Sequence, residues 1–341
     1  MSAPSPEPPA PEPPAPEPPA GEPPAAEAAV RAVDLHKTYT GPRGDVPAVR
    51  GVDLAVAPGE FFGLLGPNGA GKSTTIGMLT TLVVPTSGQA RVCGLDVTRD
   101  AVAVKRRIGM VSQNNTLDNE LTAVENLEFR GRYFGLGAKD ARRRADELLE
   151  MFNLTDRRTG TPFELSGGQA KRLMICRALV HRPEVLFLDE PTAGLDPQTR
   201  VNLWEVLREL QAGGQTTLLT THYMEEAEAL CDRVAVVDHG RVLASGTVPE
   251  LKSSAGADTV ITVTYDGDVP EGVRKLSERE GIGKVEVTGA QVRVFARSPD
   301  GLLAELVAAG AAAGVGVTDA SQLRPSLETV FLTLTGRDYR E

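Results

Sequence analysis

The chain has 341 residues and a formal charge of −10, from 36 Lys and Arg against 46 Asp and Glu. Five of the acids (Glu7, Glu12, Glu17, Glu22 and Glu27) precede the first Arg, and no basic block appears later. That balance argues against nucleic acid as a partner, since phosphate backbones are held by concentrated positive charge.

Three scattered cysteines, Cys93, Cys176 and Cys231, form no CxxC pair, which suits a reducing cytosol and gives no metal cluster. No basic-then-apolar leader opens the chain, and no apolar run reaches the roughly 18 residues of a bilayer span. The nearest run, residues 302–317, is mostly Ala and Gly and carries Glu305.

In chain order, residues 6–20 are three copies of PEPPA. Proline at that density builds neither helix interior nor sheet ladder, so residues 1–28 read as a disordered or polyproline-like tail. A docking arm for a proline-binding partner is the alternative. From Val30, short apolar runs alternate with helical patterns, as in βα units of a parallel sheet. The strands expected are 61–65, 108–112, 185–189, 216–220 and 233–238, apolar nearly throughout and hence covered on both faces. Residues 118–160 hold no good strand and read as helices over 121–135 and 138–152. The α/β domain is thus expected over 29–252, with a helical insert at about 114–180. After Lys252 the pattern becomes strand, helix, strand, strand, helix, strand and a final helix. That order predicts a small α+β domain of the split βαβ, ferredoxin-like kind over 253–341.

Two motifs carry chemistry. LLGPNGAGKST, residues 64–74, follows an apolar strand and opens a helical pattern, the context a phosphate-binding P-loop requires. The glycines Gly66, Gly69 and Gly71 let the backbone curl so that its N–H groups point inward at phosphate oxygens, with Pro67, Asn68 and Ala70 completing the expected binding loop. Lys72 is expected to reach the β- and γ-phosphates and Ser73 to bind Mg²⁺, with Thr74 beginning the helix. VLFLDEP, residues 185–191, places Asp189 at the ligand-binding end of a buried strand, where it holds Mg²⁺ directly or through water. Glu190 beside it is a candidate general base for the attacking water. A second glycine pair, in FELSGGQAKRLMICRAL at 163–179, opens another helix and poses a puzzle, because the first loop already serves the phosphates.

The P-loop, LSGGQ at 165–169, VLFLDEP, AGLDP at 193–197 and then His222, in that order, resemble the motif set of ABC-type ATPases over about residues 30–250. That resemblance implies two units packed head to tail, the LSGGQ of one closing over the ATP held by the other. Ser166, Gly167, Gly168 and Gln169 then serve a neighbour's nucleotide. It further implies that Tyr39 stacks on adenine, that Gln113 touches Mg²⁺ and connects to the helical insert, that Asp196 crosses the dimer interface and that His222 senses the γ-phosphate. Lys72, Glu190 and His222 are the catalytic set so implied, ATP and Mg²⁺ the cofactors, and Ser73, Gln113 and Asp189 the metal-binding positions. His36, His181 and His239 are given no role.

The opening segment, the motif set and the closing RPSLETVFLTLTG resemble ATPases of daunorubicin/doxorubicin-resistance type exporters. Pro325, Ser326, Leu327, Glu328, Val330 and Phe331 fit that group's closing pattern. The resemblance implies a separately encoded polytopic permease, a homodimer or heterodimer of ATPase subunits, and a peripheral position on the cytoplasmic side of the cell membrane. Drug export is the leading expectation. Polysaccharide or lipid export is the alternative, with a soluble non-transport ATPase further behind.

Overall fold

The computed structural model describes residues 28–42, 44–254, 259–278, 281–296, 299–323 and 326–335. The proline tail, apart from Ala28, and Pro325 lie outside the described residues.

The described chain opens with two long strands, β1 (Val30–Tyr39) and β2 (Val46–Val56), before the buried strand β3 (Phe61–Leu65). Helix α1 (Lys72–Leu79) leads to β4 (Ser87–Val92), the short β5 (Leu95–Asp96), α2 (Ala101–Arg107) and β6 (Ile108–Val111). Three helices follow: α3 (Ala123–Tyr133), α4 (Ala138–Met151) and α5 (Gly167–Leu179). The chain then alternates through β7 (Val185–Asp189), α6 (Pro197–Ala212), β8 (Thr216–Thr221), α7 (Met224–Leu230), β9 (Arg233–Asp238), β10 (Arg241–Thr247) and α8 (Val248–Ser254). The last part comprises β11 (Thr259–Tyr265), α9 (Glu271–Arg274), β12 (Ile282–Thr288), β13 (Gln291–Ala296), α10 (Leu302–Ala312), β14 (Val317–Leu323) and α11 (Leu327–Thr335).

The central sheet has the order β10-β9-β3-β8-β7-β6, parallel except for the β9–β10 hairpin. Every residue of β3, β7 and β8 is buried, as near-continuous apolar runs predict for strands covered on both faces. One hydrophobic cluster packs Leu186, Leu188 and Leu219 against α3, α4 and α5. A second packs Phe62, Phe187 and Leu218 against α1 and the first strands.

A separate four-stranded antiparallel sheet, β2-β1-β4-β5, adjoins the core. Sequence reading had no strand for 46–56. Register shifts along β1 and β2 break the two-residue alternation that would have revealed them.

The helical segments expected at 121–135 and 138–152 form α3 and α4. Thr122 and Glu125 cap α3 reciprocally, as Ser166 and Gln169 cap α5. Met174 and Cys176 are buried on α5. A third sheet, β12-β13-β11-β14, is antiparallel and packs against α9 and α10. Where a helix is expected between the first two strands of this part, the described residues form one turn of α-helix, α9, followed by a 3₁₀ turn at Lys275–Glu278. Among the described residues no helix is long and apolar enough to cross a membrane.

Candidate functional site

The P-loop connects β3 to α1. Gly71 adopts φ +103°, and a Cβ there would lie 2.5 Å from the Ala48 carbonyl oxygen, so only glycine fits. Lys72 is buried and turned back on its own loop: its ammonium donates to the Gly66 carbonyl at 2.7 Å and the Pro67 carbonyl at 3.1 Å. Burial lowers its pKa, while the Glu190 carboxylate, 3.4 Å away, opposes that shift.

Asp189 ends β7. Its Oδ1 accepts from Ser73 Oγ at 3.0 Å and from Thr220 Oγ1 at 2.5 Å. Glu190, next in the chain, has φ +48°, a left-handed conformation that costs a β-carbon residue on the order of 1–3 kcal/mol. Its N–H, donating to both the carbonyl and the hydroxyl of Thr220, helps hold that conformation. Three groups converge on the carboxylate: Lys72 at 3.4 Å, Gln113 Nε2 at 3.3 Å and His222 Nδ1 at 3.3 Å. Four segments far apart in sequence thus meet around one acidic pair.

Beside them lies a cavity of about 370 Å³, lined by the loop from Asn68 to Thr74 with Ala48, Gln113 and Glu190. Tyr39, at the end of β1, is 42% exposed, with Lys37 Nζ 5.1 Å from its ring centroid. Among the described residues no three His, Cys, Asp or Glu gather as a metal cluster. The oxygens available are one hydroxyl, one carboxylate and one amide, from Ser73, Asp189 and Gln113. Such a sparse oxygen set fits Mg²⁺, which keeps waters and completes its shell from phosphates.

Ser166, Gly167, Gly168 and Gln169 do not line that cavity. They open α5 on a separate part of the surface, where a side chain on Gly168 would run into Thr199 of α6. Asp196 caps α6, accepting from Thr199 N at 3.0 Å and Thr199 Oγ1 at 2.6 Å; these bonds hold its carboxyl below the usual range.

Sequence reading missed Lys171. This buried residue of α5 reaches the carbonyls of Ser112 and Gln113 at 3.4 and 3.3 Å, joining the signature helix to the glutamine segment. Burial lowers its pKa against the pull of Asp189 and Glu190. Its position two residues after LSGGQ was the only available signal. Thr220 was also missed, because a threonine in an apolar strand looks like sheet filler.

The model of the ABC transporter family matches residues 49–193. The daunorubicin resistance ATP-binding protein DrrA3 of Streptomyces coeruleorubidus is 45% identical over 297 residues, 87% of this chain and 94% of that protein. The Nod factor export ATP-binding protein I of Cupriavidus metallidurans is 43% identical, over 87% of this chain and 95% of that one. Among solved structures, the dimeric ATP-binding cassette MJ0796, in a post-hydrolysis state bound to ADP and Pi, superposes with a TM-score of 0.60. It is 30% identical and matches 64% of this chain and 98% of its own. With the phosphate loop, acidic pair and signature helix so arranged, this chain belongs to the ABC transporter ATP-binding family and is an ATPase.

Proposed function

We propose that the chain powers an exporter as a dimer, two copies enclosing two ATP molecules and driving a separately encoded membrane permease, with drug efflux or self-resistance as the physiological task. The observation that carries this reading is the separation of the half-sites: the P-loop cavity lacks Ser166, Gly168 and Asp196 on its lining. A second subunit, turned head to tail, brings its own signature residues to that cavity. The daunorubicin resistance relatives support the drug assignment. Export of a polysaccharide or lipid is the second reading, favoured by the Nod factor relative.

In this mechanism the Lys72 ammonium leaves the Gly66 and Pro67 carbonyls for the β- and γ-phosphate oxygens, and Tyr39 stacks on adenine. The N–H groups from Gly69 to Thr74 cradle the phosphates. Ser73, Asp189 and Gln113 would hold Mg²⁺, which would supply positive charge to offset that of the phosphate oxygens. Glu190 accepts a proton from the attacking water while His222 steadies the γ-phosphoryl oxygens. The partner's Ser166 and Gly168 N–H close the other side, and its Asp196 crosses the interface.

A groove of about 760 Å³ between α2 and α3, with Leu82, Val102 and Tyr133 exposed along it, is the docking place we assign to the permease. We read the third sheet with α9 and α10 as a ferredoxin-like unit set between α8 and α11. The site faces the cytoplasm from a peripheral position at the membrane.

Size-exclusion chromatography of Glu190→Gln in Mg-ATP tests the shared site. A dimer that reverts to monomer on nucleotide removal is expected. A variant that stays monomeric in Mg-ATP overturns the composite-site reading while leaving the ATPase assignment intact.

A further inference from the structure

Glu226 lies on α7, four residues after His222, and is completely buried. It is one of the few fully enclosed ionisable side chains in the described structure, and the mechanism above gives it no task. Burial raises its pKa, against the donors around it. Those donors identify what it joins. Trp204 Nε1, on α6, donates to Oε1 at 3.3 Å. The Thr221 and Thr192 hydroxyls stand beside the carboxyl, and Arg200 of α6 contributes positive charge nearby. Thr221 immediately precedes His222, and Thr192 follows Glu190 by two residues. Trp204 and Arg200 belong to the helix that Asp196 caps.

A second chain of contacts runs alongside. The Arg200 guanidinium lies 4.0 Å from the centre of the Tyr223 ring, which lies 4.1 Å from the His222 ring. The helix bearing Asp196 is therefore in contact with the segment bearing His222 both through Glu226 and through Tyr223. Glu226 Oε2 and Thr192 Oγ1 are both buried at this junction, out of reach of solvent. Burying a carboxyl group is costly unless its polar neighbours offset the loss of water, which ties Glu226 to the segments that surround it.

We propose that Glu226 is a positioning residue for ATP hydrolysis, the buried node that makes Glu190, His222 and the α6 helix behind Asp196 move as one body. Its carboxyl group bridges the loop after β7, the end of β8 and α6, so an adjustment of α6 at the subunit interface is transmitted to the two side chains that face the γ-phosphate. The inference rests on the roles proposed for Glu190 and His222.

The test compares Glu226→Ala and Glu226→Gln with Glu190→Gln and His222→Ala in the full chain, measuring kcat and KM for Mg-ATP, binding of a fluorescent ATP analogue, and Tm. Glu226→Ala should lower kcat at least about tenfold, since small displacements of reacting groups cost that much or more. Nucleotide affinity should stay at the parent value, because the P-loop is untouched. Glu226→Gln, which keeps the shape and most hydrogen bonds, should recover most of kcat. Trp204→Phe removes the N–H together with part of the indole ring and should reproduce part of the loss, which keeps the proposal testable if the alanine variant does not fold. An unchanged kcat in Glu226→Ala, or kcat, affinity and Tm falling together in both glutamate variants, overturns the proposal. Full activity in Glu190→Gln and His222→Ala would instead sink the site assignment beneath it.

Discussion

Lys72 and Glu190 form the buried ion pair of the site, 3.4 Å apart. The ammonium is enclosed, its charge opposed by burial and supported by one carboxylate and two carbonyls. Replacing Glu190 by Gln removes both a competitor for Lys72 and a negative charge beside the expected γ-phosphate. The variant should bind the fluorescent ATP analogue more tightly than the parent, while hydrolysis falls at least about a hundredfold with loss of the proposed general base. Weaker binding would count against Lys72 exchanging Glu190 for phosphate.

The cysteines offer a second check at this scale. Burial, with the Glu184 carboxylate adding to it, pushes the Cys93 thiol up to about 12, and enclosure raises Cys176 and Cys231 as well. The thiolate is the nucleophile, so iodoacetamide at pH 8 should leave the native chain unlabelled and modify all three in urea, as read by intact mass. Rapid native labelling would show that this environment is open. Gly71 and Lys72 of the P-loop and the Ser166 cap of α5 were legible in the sequence because each belongs to a short, local pattern. Lys171, Thr220 and Glu226 were not, because each acts on a segment tens of residues away and resembles an ordinary core or helix residue in isolation.

At the scale of elements, the helical segment α3–α5 is held by one apolar cluster. Leu148 on α4 is fully enclosed in it beside Leu127, Leu173 and Cys176. Leu148→Ala should cost about 3 kcal/mol through lost transfer energy and the cavity left behind. Urea unfolding followed by circular dichroism measures it. A loss under about 1 kcal/mol would mean that the neighbours collapse into the gap. The apolar strands and amphipathic helices here were readable from periodicity, since burial on one face or two leaves a regular mark. The bulged strands β1 and β2 were not, because each register shift inverts the alternation that marks a strand.

In the molecule as a whole, the central sheet is sandwiched between two apolar clusters, and the signature helix and P-loop reach the surface at different places on that frame. The last helix returns to the ATPase. Leu327, Val330 and Phe331 of α11 are buried with Leu65, Ala227, Val234 and Leu251, and Leu327 N–H donates to the Glu228 carboxylate at 2.8 Å. Lys252 of α8 pairs with the same carboxylate at 2.9 Å. The helix before the third sheet and the helix after it are therefore fastened to one glutamate of α7.

That shared anchorage makes the third sheet an internal graft rather than an appendage. The polypeptide leaves the ATPase at α8 and re-enters it at α11, and these two helices pack against each other. A chain in which Thr259–Leu323 is excised and α8 is joined to α11 by a short glycine-serine bridge should stay folded and bind the fluorescent ATP analogue, whereas a simple stop after Ser254 should expose the apolar bed of α11 and aggregate. Light scattering and nucleotide titration on the two chains would separate these fates. The closing helix thus belongs to the ATPase body, and the boundary that matters for the protein's modular build lies around the sheet, at both of its ends.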